Sequence, residues 1–277
     1  MKKLIILLFI FLILLVPSVL AVSVPNLGQS SNFGILSSTY TNTVSGTTIN
    51  GDLGYTTPPA VNPTVNGTTN IANSTQAGID QGSALASLNS QPCDFTFGSA
   101  TDLSLLPQPL TAGVYCITGA VSVGTAGITL SNDGTYLFRI DGALNTVANS
   151  VITGSACNVF WTPTEATTLG ANSTFLGTDI DDSGITIGSN VTWSGRALSY
   201  SGTVSTDTDT ITVPQCGQPT PTAIPTSTPS SNGGSGVSDN QTGSLGCQHP
   251  SDNCNTMVGK FVSPKLPNTG FAPRLDK

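Results

Sequence analysis

Positive charge is nearly missing from the middle of this 277-residue chain. Between Val22 and Cys216 stand only two basic residues, Arg139 and Arg196, against 12 acidic ones, with no lysine and no histidine. Phosphate backbones are held by clustered positive charge, so nucleic acid is excluded as a partner. Solenoid enzymes that cleave polysaccharides need carboxylates paired across a groove, commonly with a basic residue beside the leaving group. Asp179, Asp181 and Asp182 make a local cluster, but no histidine accompanies them, and the chain is expected not to be an enzyme. These aspartates, with Asp207 and Asp209, fit neither an EF-hand loop nor a glycine-rich calcium repeat. They read as turn residues, with no metal and no cofactor. Charged residues of all kinds make up 8% of the chain, which leaves a neutral surface.

Long apolar runs are absent too, after the first. Met1-Lys2-Lys3, the unbroken apolar stretch from Leu4 to Val16, and Val19-Leu20-Ala21 have the layout of a signal peptide, residues 1–21. The stretch falls short of the about 20 residues that span a membrane. Export agrees with the six cysteines, which pair as disulfides in an oxidising compartment. Proximity, and the need to staple chain ends, match Cys93 with Cys116, Cys157 with Cys216, and Cys247 with Cys254.

What the chain has in abundance is threonine. Between Val22 and Cys216 there are 33, in runs with Ser, Gly, Ala and Val that suit strands and turns better than helices. From Glu165 to Val213 they recur in step: an offset of 18 pairs Thr168 with Thr186, Asn172 with Asn190, Thr174 with Thr192, Phe175 with Trp193 and Gly177 with Gly195. A further pass brings Thr210-Ile211 under Thr192-Trp193. A unit of about 18 residues cannot enclose a core, so it must stack on its neighbours, and stacked strand units make a β-solenoid.

Leu27 to Thr43 and Thr47 to Gly54 read as strands, and period two places Ser37, Thr39, Thr41 and Thr43 on one side. From Asn73 to Leu88 the spacing turns helical, with Ile79, Ala84, Leu85 and Leu88, plus Ala72, Ala77 and Ala86, as the apolar side and Asn73 or Ser74 as the cap. This one helix needs cover, as does one solenoid face, so it is expected alongside the solenoid. Asp94 to Gly113 reads as loop and short turns, and strands resume at Val114. The first strands must then join a sheet whose other members follow the helix. Residues 22–216 form this domain. A Pro/Thr/Ser/Gly-rich linker, 217–246, is stiff around its prolines and flexible around its glycines. The tail, 247–277, carries Leu266-Pro267-Asn268-Thr269-Gly270.

Asn32-Phe-Gly-Ile-Leu, Asn42-Thr, Ile49-Asn-Gly-Asp-Leu-Gly54, the Ala-rich helix, Gly113-Val-Tyr115, Asn158-Val-Phe-Trp161, Thr168-Leu-Gly, Gly195-Arg-Ala-Leu198 and Thr210-Ile, in that order, resemble the DUF3494 family of ice-binding proteins. The resemblance covers Leu27 to Cys216. It implies an all-β fold with one long helix: a discontinuous right-handed β-solenoid of triangular cross-section, the helix packed alongside and the N-terminal strands inserted among later coils. It also implies adsorption to an ice crystal surface by one flat face rich in threonine, serine and alanine.

By position in the family, that face takes Ser37, Thr39 and Thr41, then Ser183, then Ser199, Ser201 and Thr203, with Thr162 and Thr164 after Trp161. Asp181 and Asp182 depart from such a face and mark its rim or a coil that does not touch ice. A rival face is the ladder of Thr168, Thr186 and Ser205 with Thr174, Thr192 and Thr210, although stacked Thr and Asn also hold solenoid coils in register. A monomer is expected. The Leu266 to Gly270 motif resembles a sortase signal for attachment to the cell envelope, with only seven residues after it where a membrane span and basic tail are usual. The expected location is secreted or anchored at the cell surface. A surface structural or adhesive module without ice activity is the alternative function.

Overall fold

The computed structural model describes residues 22–216, except 73, 132 and 133. The expected signal peptide, the linker, the tail with Cys247, Cys254 and the Leu266 to Gly270 motif, and the cap candidate Asn73 lie outside the described residues. In chain order come β1 (Phe33–Asn42), β2 (Thr48–Asn50), β3 (Asp52–Tyr55), β4 (Thr64–Val65), β5 (Thr69–Ile71) and the helix α1 (Thr75–Asn89). After the helix follow β6 (Phe95–Phe97), β7 (Thr101–Asp102), β8 (Gly113–Thr118), β9 (Val121–Val123), β10 (Ile128–Thr129), β11 (Tyr136–Asp141), β12 (Leu144–Thr146) and β13 (Ile152–Thr153). The last are β14 (Val159–Pro163), β15 (Thr167–Leu169), β16 (Thr174–Ile180), β17 (Ile185–Ile187), β18 (Thr192–Thr206) and β19 (Thr210–Thr212).

These strands pair in parallel and wind into a solenoid with three faces. Face A stacks β6, β8, β11, β14, the end of β16, the middle of β18, β1, β3 and β5. Face B stacks β7, β9, β12, β15, β17 and the ends of β18 and β1. Face C holds β10 beside β13, then the starts of β16 and β18, followed by β19, β2 and β4. The offset of 18 is the coil period, since Thr168 lies opposite Thr186, Phe175 opposite Trp193, and Gly177 opposite Gly195.

The solenoid is discontinuous, as its sequence order requires. β19 is the last strand of the C-terminal coils, and the next places beyond it are taken by the N-terminus, β1 on β18 and β2 on β19. The chain builds outward from there to β5, and α1 carries it back to β6 at the other end. A helix of 15 residues reaches about 22 Å, several coil spacings of about 4.8 Å each. Long-range pairing of this kind costs loop-closure entropy only logarithmically.

The buried stripe of α1 is Ala77, Gln81, Ala84 and Leu88, set on Phe33, Leu36, Val114, Leu137, Phe160, Ile180 and Leu198 of face A. Ile79, expected inside, is 56% exposed, and Ala86 is exposed as well. Gln81 takes the inner position instead because its amide is satisfied there: Nε2 donates to Asp182 Oδ1 at 2.9 Å and Oε1 accepts from the Tyr200 N–H at 3.2 Å. Ser74 precedes the helix but does not cap it, its hydroxyl turning to Gln29 Oε1 at 2.9 Å. Asp94 to Gly113, expected as loop, contains β6 and β7 and is the first coil.

Inside, aromatic rings from successive coils stack. Centroids are 4.6 Å apart for Phe95 and Tyr115, 5.0 Å for Tyr115 and Phe138, and 4.2 Å for Phe138 and Trp161. Trp193 Nε1 donates to the Gly177 carbonyl at 2.9 Å. A side chain at Gly195 would collide with that same carbonyl, which is why glycine recurs there in the repeat. Cys93 pairs with Cys116 and Cys157 with Cys216, as expected.

Candidate functional site

Face A is closed to an external surface because α1 lies on it. Three of the sequence candidates are withdrawn from any flat contact by burial. Ser37 and Ser199 lie opposite each other and point into the core, both 0% exposed. Thr162 is buried near the end of the helix, its Oγ1 3.1 Å from Asn89 Oδ1. Simple alternation misplaces Ser37 because the β1 register shifts between Ser37 and Thr39, where the chain turns from face A to face B. That irregularity reverses which side faces out.

Thr39, Thr41 and Thr203 lie on face B. Thr203 is opposite Thr39 and Ser205 opposite Thr41, with the Thr41 and Ser205 hydroxyls 2.9 Å apart. From Ser205 the row continues through Thr186, Thr168, Asn145 and Ser122, and beside it Thr39 is bridged to Thr57. Thr168, Thr186 and Ser205, half of the rival ladder, therefore share a face with the family-derived threonines. Thr164, Ser183 and Ser201 are exposed along the corner between faces A and B: Ser183 Oγ donates to the Thr164 carbonyl at 2.9 Å, and Ser201 N–H to Asp182 Oδ1 at 3.2 Å.

The other half of the ladder, Thr174, Thr192 and Thr210, is on face C, where the row goes on to Thr48 and Thr64. Next to it run Ser194, Thr212 and Asn50. Amides tie that second row together, Asn50 Nδ2 donating to Thr212 Oγ1 at 2.9 Å and Asn66 Nδ2 to Asn50 Oδ1 at 2.8 Å. The recurring asparagines of the repeat serve neither face. Asn149, Asn172, Asn190 and Thr208 stand at the corner between faces B and C with φ of 62°, 57°, 60° and 60°, the left-handed turn that asparagine tolerates.

The aspartates leave the middle of face B uncharged. Asp181 is buried in the core, and Asp182 is turned toward α1 and held by Gln81 and Ser201. Arg196 bonds neutral oxygens: its Nε donates to the Ser31 carbonyl at 2.7 Å and its Nη1 to Thr178 Oγ1 at 3.3 Å. Near the end of α1 a groove of about 410 Å³ is lined by Asn89, Cys93, Cys116, Arg139 and Asp141 among others. Among the described residues no group of three or more His, Cys, Asp or Glu could hold a metal ion.

Ser122, Asn145 and Thr57 on face B, and Thr48 and Thr64 on face C, escape the short repeat. The one local signal is the Thr-apolar alternation that Thr48-Ile49 shares with Thr210-Ile211 and Thr192-Trp193. It becomes meaningful only once β2 docks on β19.

The ice-binding-like family model matches residues 30–212, and the chain belongs to that family. It is 35% identical over 209 residues to an ice-binding protein of Nostoc sp. (strain HG1), covering 69% of this chain and 75% of that one. Its fold is similar to the crystal structure of an ice-binding protein from the Antarctic ascomycete Antarctomyces psychrotrophicus, at 27% identity and a TM-score of 0.62, covering 69% of this chain and 99% of the other. An ice-binding protein from an Antarctic biological consortium is similar at 25% identity and a TM-score of 0.63, covering 72% of this chain and 95% of the other. These relatives are named for ice binding and not for an enzyme activity.

Proposed function

We propose that this protein adsorbs to ice through face B, with Thr39, Thr41, Thr168, Thr186, Thr203 and Ser205 as the contact. The observation that carries this reading is the grid in which Thr39 and Thr41 stand beside Thr203 and Ser205 and the second row extends through Thr186 to Thr168. Coils about 4.8 Å apart and alternate residues about 6.7 Å apart repeat in two dimensions, as an ice surface does. Threonine on a strand is stiff at χ1, so methyl and hydroxyl are held with little entropy left to lose. Removing about 400 Å² of apolar face from liquid water yields on the order of 10 kcal/mol before association costs.

The end of the domain supports face B over face C. The Val213 N–H donates to the Asn50 carbonyl at 2.9 Å, and Cys216 is bonded to Cys157, between β13 and β14. Both contacts run along the corner between faces C and A, opposite face B. Ice recrystallisation inhibition by the purified chain tests the activity, and loss of it in Thr41→Tyr with Thr186→Tyr tests the face. A folded wild-type chain without inhibition would leave the structural or adhesive module as the reading.

Secretion, action as a monomer and attachment through Leu266 to Gly270 belong to the same proposal. Presentation at the cell surface would serve adhesion to ice. Thr269 as the mature C-terminus in a cell-wall fraction supports attachment; an intact Lys277 in the medium defeats it.

A further inference from the structure

One inward row of face A is interrupted by a carboxyl group. Its inward residues run in register from Tyr115 through Phe138, Trp161, Asp179, Ala197 and Ile35 to Leu53. A carboxyl group thus stands next to Trp161 in a row otherwise apolar. Asp179 is 0% exposed, and neither of its oxygens has a hydrogen-bond partner. Asp181 is buried as well; a carboxyl oxygen accepts the Ser183 N–H at 2.8 Å, while Oδ2 has no partner.

Two further buried oxygens lack a partner. Thr167 Oγ1 lies beside both carboxyls yet meets neither in hydrogen-bond geometry. Ser199 Oγ is also unpaired, and it follows Leu198, whose carbonyl receives the Asp181 N–H at 2.9 Å. Among the described residues no cation faces them. β14, β15 and β17 carry no ionisable residue, Glu165 is exposed in the turn before β15, and Asp182 is turned to Gln81. Arg196 of β18 stands opposite Thr178, on the outer side, and bonds there. An ionised pair would therefore be two adjacent buried charges with no cation beside them, eased only by the Ser183 N–H on Asp181, which is strongly unfavourable in a medium of low dielectric. Protonation removes the charge and supplies the missing donor.

We propose that Asp179 and Asp181 form a buried acid site that carries a proton in the folded protein, with the Thr167 hydroxyl completing its hydrogen bonds, and that loss of this proton weakens the core. Burial first, then the neighbouring Asp181, holds the Asp179 carboxyl well above the usual carboxylate range, and burial pushes Asp181 up to about 6. The folded state then binds more protons than the unfolded one. The stability so gained is complete below the unfolded carboxylate range and is lost as pH rises through the folded values. Ice plays no part in this site or in its test.

Calorimetry of the full chain between about pH 5 and about pH 8 should give a Tm that falls by several degrees with rising pH. Asp179→Asn, which copies the shape of the neutral acid, should flatten that fall and raise Tm at the alkaline end. Asp209→Asn is the control, because Asp209 is another buried carboxyl, pushed up to about 7 mainly by burial. An unchanged slope in Asp179→Asn, or a wild-type Tm that rises with pH, overturns the proposal. Should Asp179→Asn fail to fold, infrared spectroscopy of Asp209→Asn near about pH 6, where surface carboxyls are ionised, decides instead. A protonated-carboxyl stretch supports the site, and its absence overturns it. A Tm at the alkaline end that drops in chelator and recovers with calcium alone would assign the pocket to a cation and also overturn it.

Discussion

Face B carries Thr168, Thr186, Ser205 and Thr41 in one row, and face C carries Thr174, Thr192, Thr210, Thr48 and Thr64 in another. By residue type face C is the more uniform of the two. The faces differ in what lies beside the row. On face B the neighbours are Thr39, Thr57 and Thr203, aligned in register. On face C they are Ser194, Thr212 and Asn50, whose polar groups are partly consumed by amide bonds, with the Val213 segment along the edge. If face B is the ice contact, a regular row alone does not make a binding surface; a flat lattice contact needs width and free edges as well. This is why the face C threonines read as register keepers, as stacked hydroxyls commonly do in solenoids.

The comparison can be broken or sharpened by substitution. The largest effect should come from Trp193→Ala, which empties the core behind both faces and removes the bond to the Gly177 carbonyl. A loss of about 3–5 kcal/mol by denaturant unfolding is expected, with ice activity lost alongside. Next comes Thr41→Tyr with Thr186→Tyr on face B. Recrystallisation inhibition should drop about tenfold or more, a change on the order of 1.4 kcal/mol in adsorption, at nearly unchanged Tm. Third is Thr208→Asn at the corner of the two faces. It should stabilise by less than about 1 kcal/mol, because a β-branched residue is strained at φ 60° and asparagine is not, while the bond from Thr208 Oγ1 to Asn190 Oδ1 is lost. Smallest of all in ice activity should be Thr48→Tyr with Thr192→Tyr on face C, with activity close to wild type and Tm slightly lower as two register-keeping hydroxyls are lost. Equal losses from the two tyrosine pairs would erase the distinction between the faces.

Much of the architecture was legible because a solenoid repeats itself locally. The offset that pairs Thr168 with Thr186 is also the spatial stacking, and the helical pattern before Asn89 is the one α-helix among the described residues. Asp94 to Gly113 reads as loop because β6 and β7 span only Phe95–Phe97 and Thr101–Asp102, too short for alternation to register. Spacing misplaces Ile79 for a different reason: amphipathic spacing ranks side chains by apolarity, whereas face A selects Gln81 for its two hydrogen bonds.

The chemistry of the chain, read alone, determined its class: a threonine-rich coil period that must stack, one helical stretch, and Cys93, Cys116, Cys157 and Cys216 at positions that pair. Which hydroxyls share a surface was decided by tertiary structure. Ser37 and Thr39 are two residues apart, yet one points into the core and the other out, because the coil turns its corner between them. Thr41 and Ser205 are far apart in the chain, yet their hydroxyls touch, because the N-terminal strand fills the place that β19 leaves open. Corner geometry and long-range docking are set by how whole coils close on one another, and no local pattern carries that information.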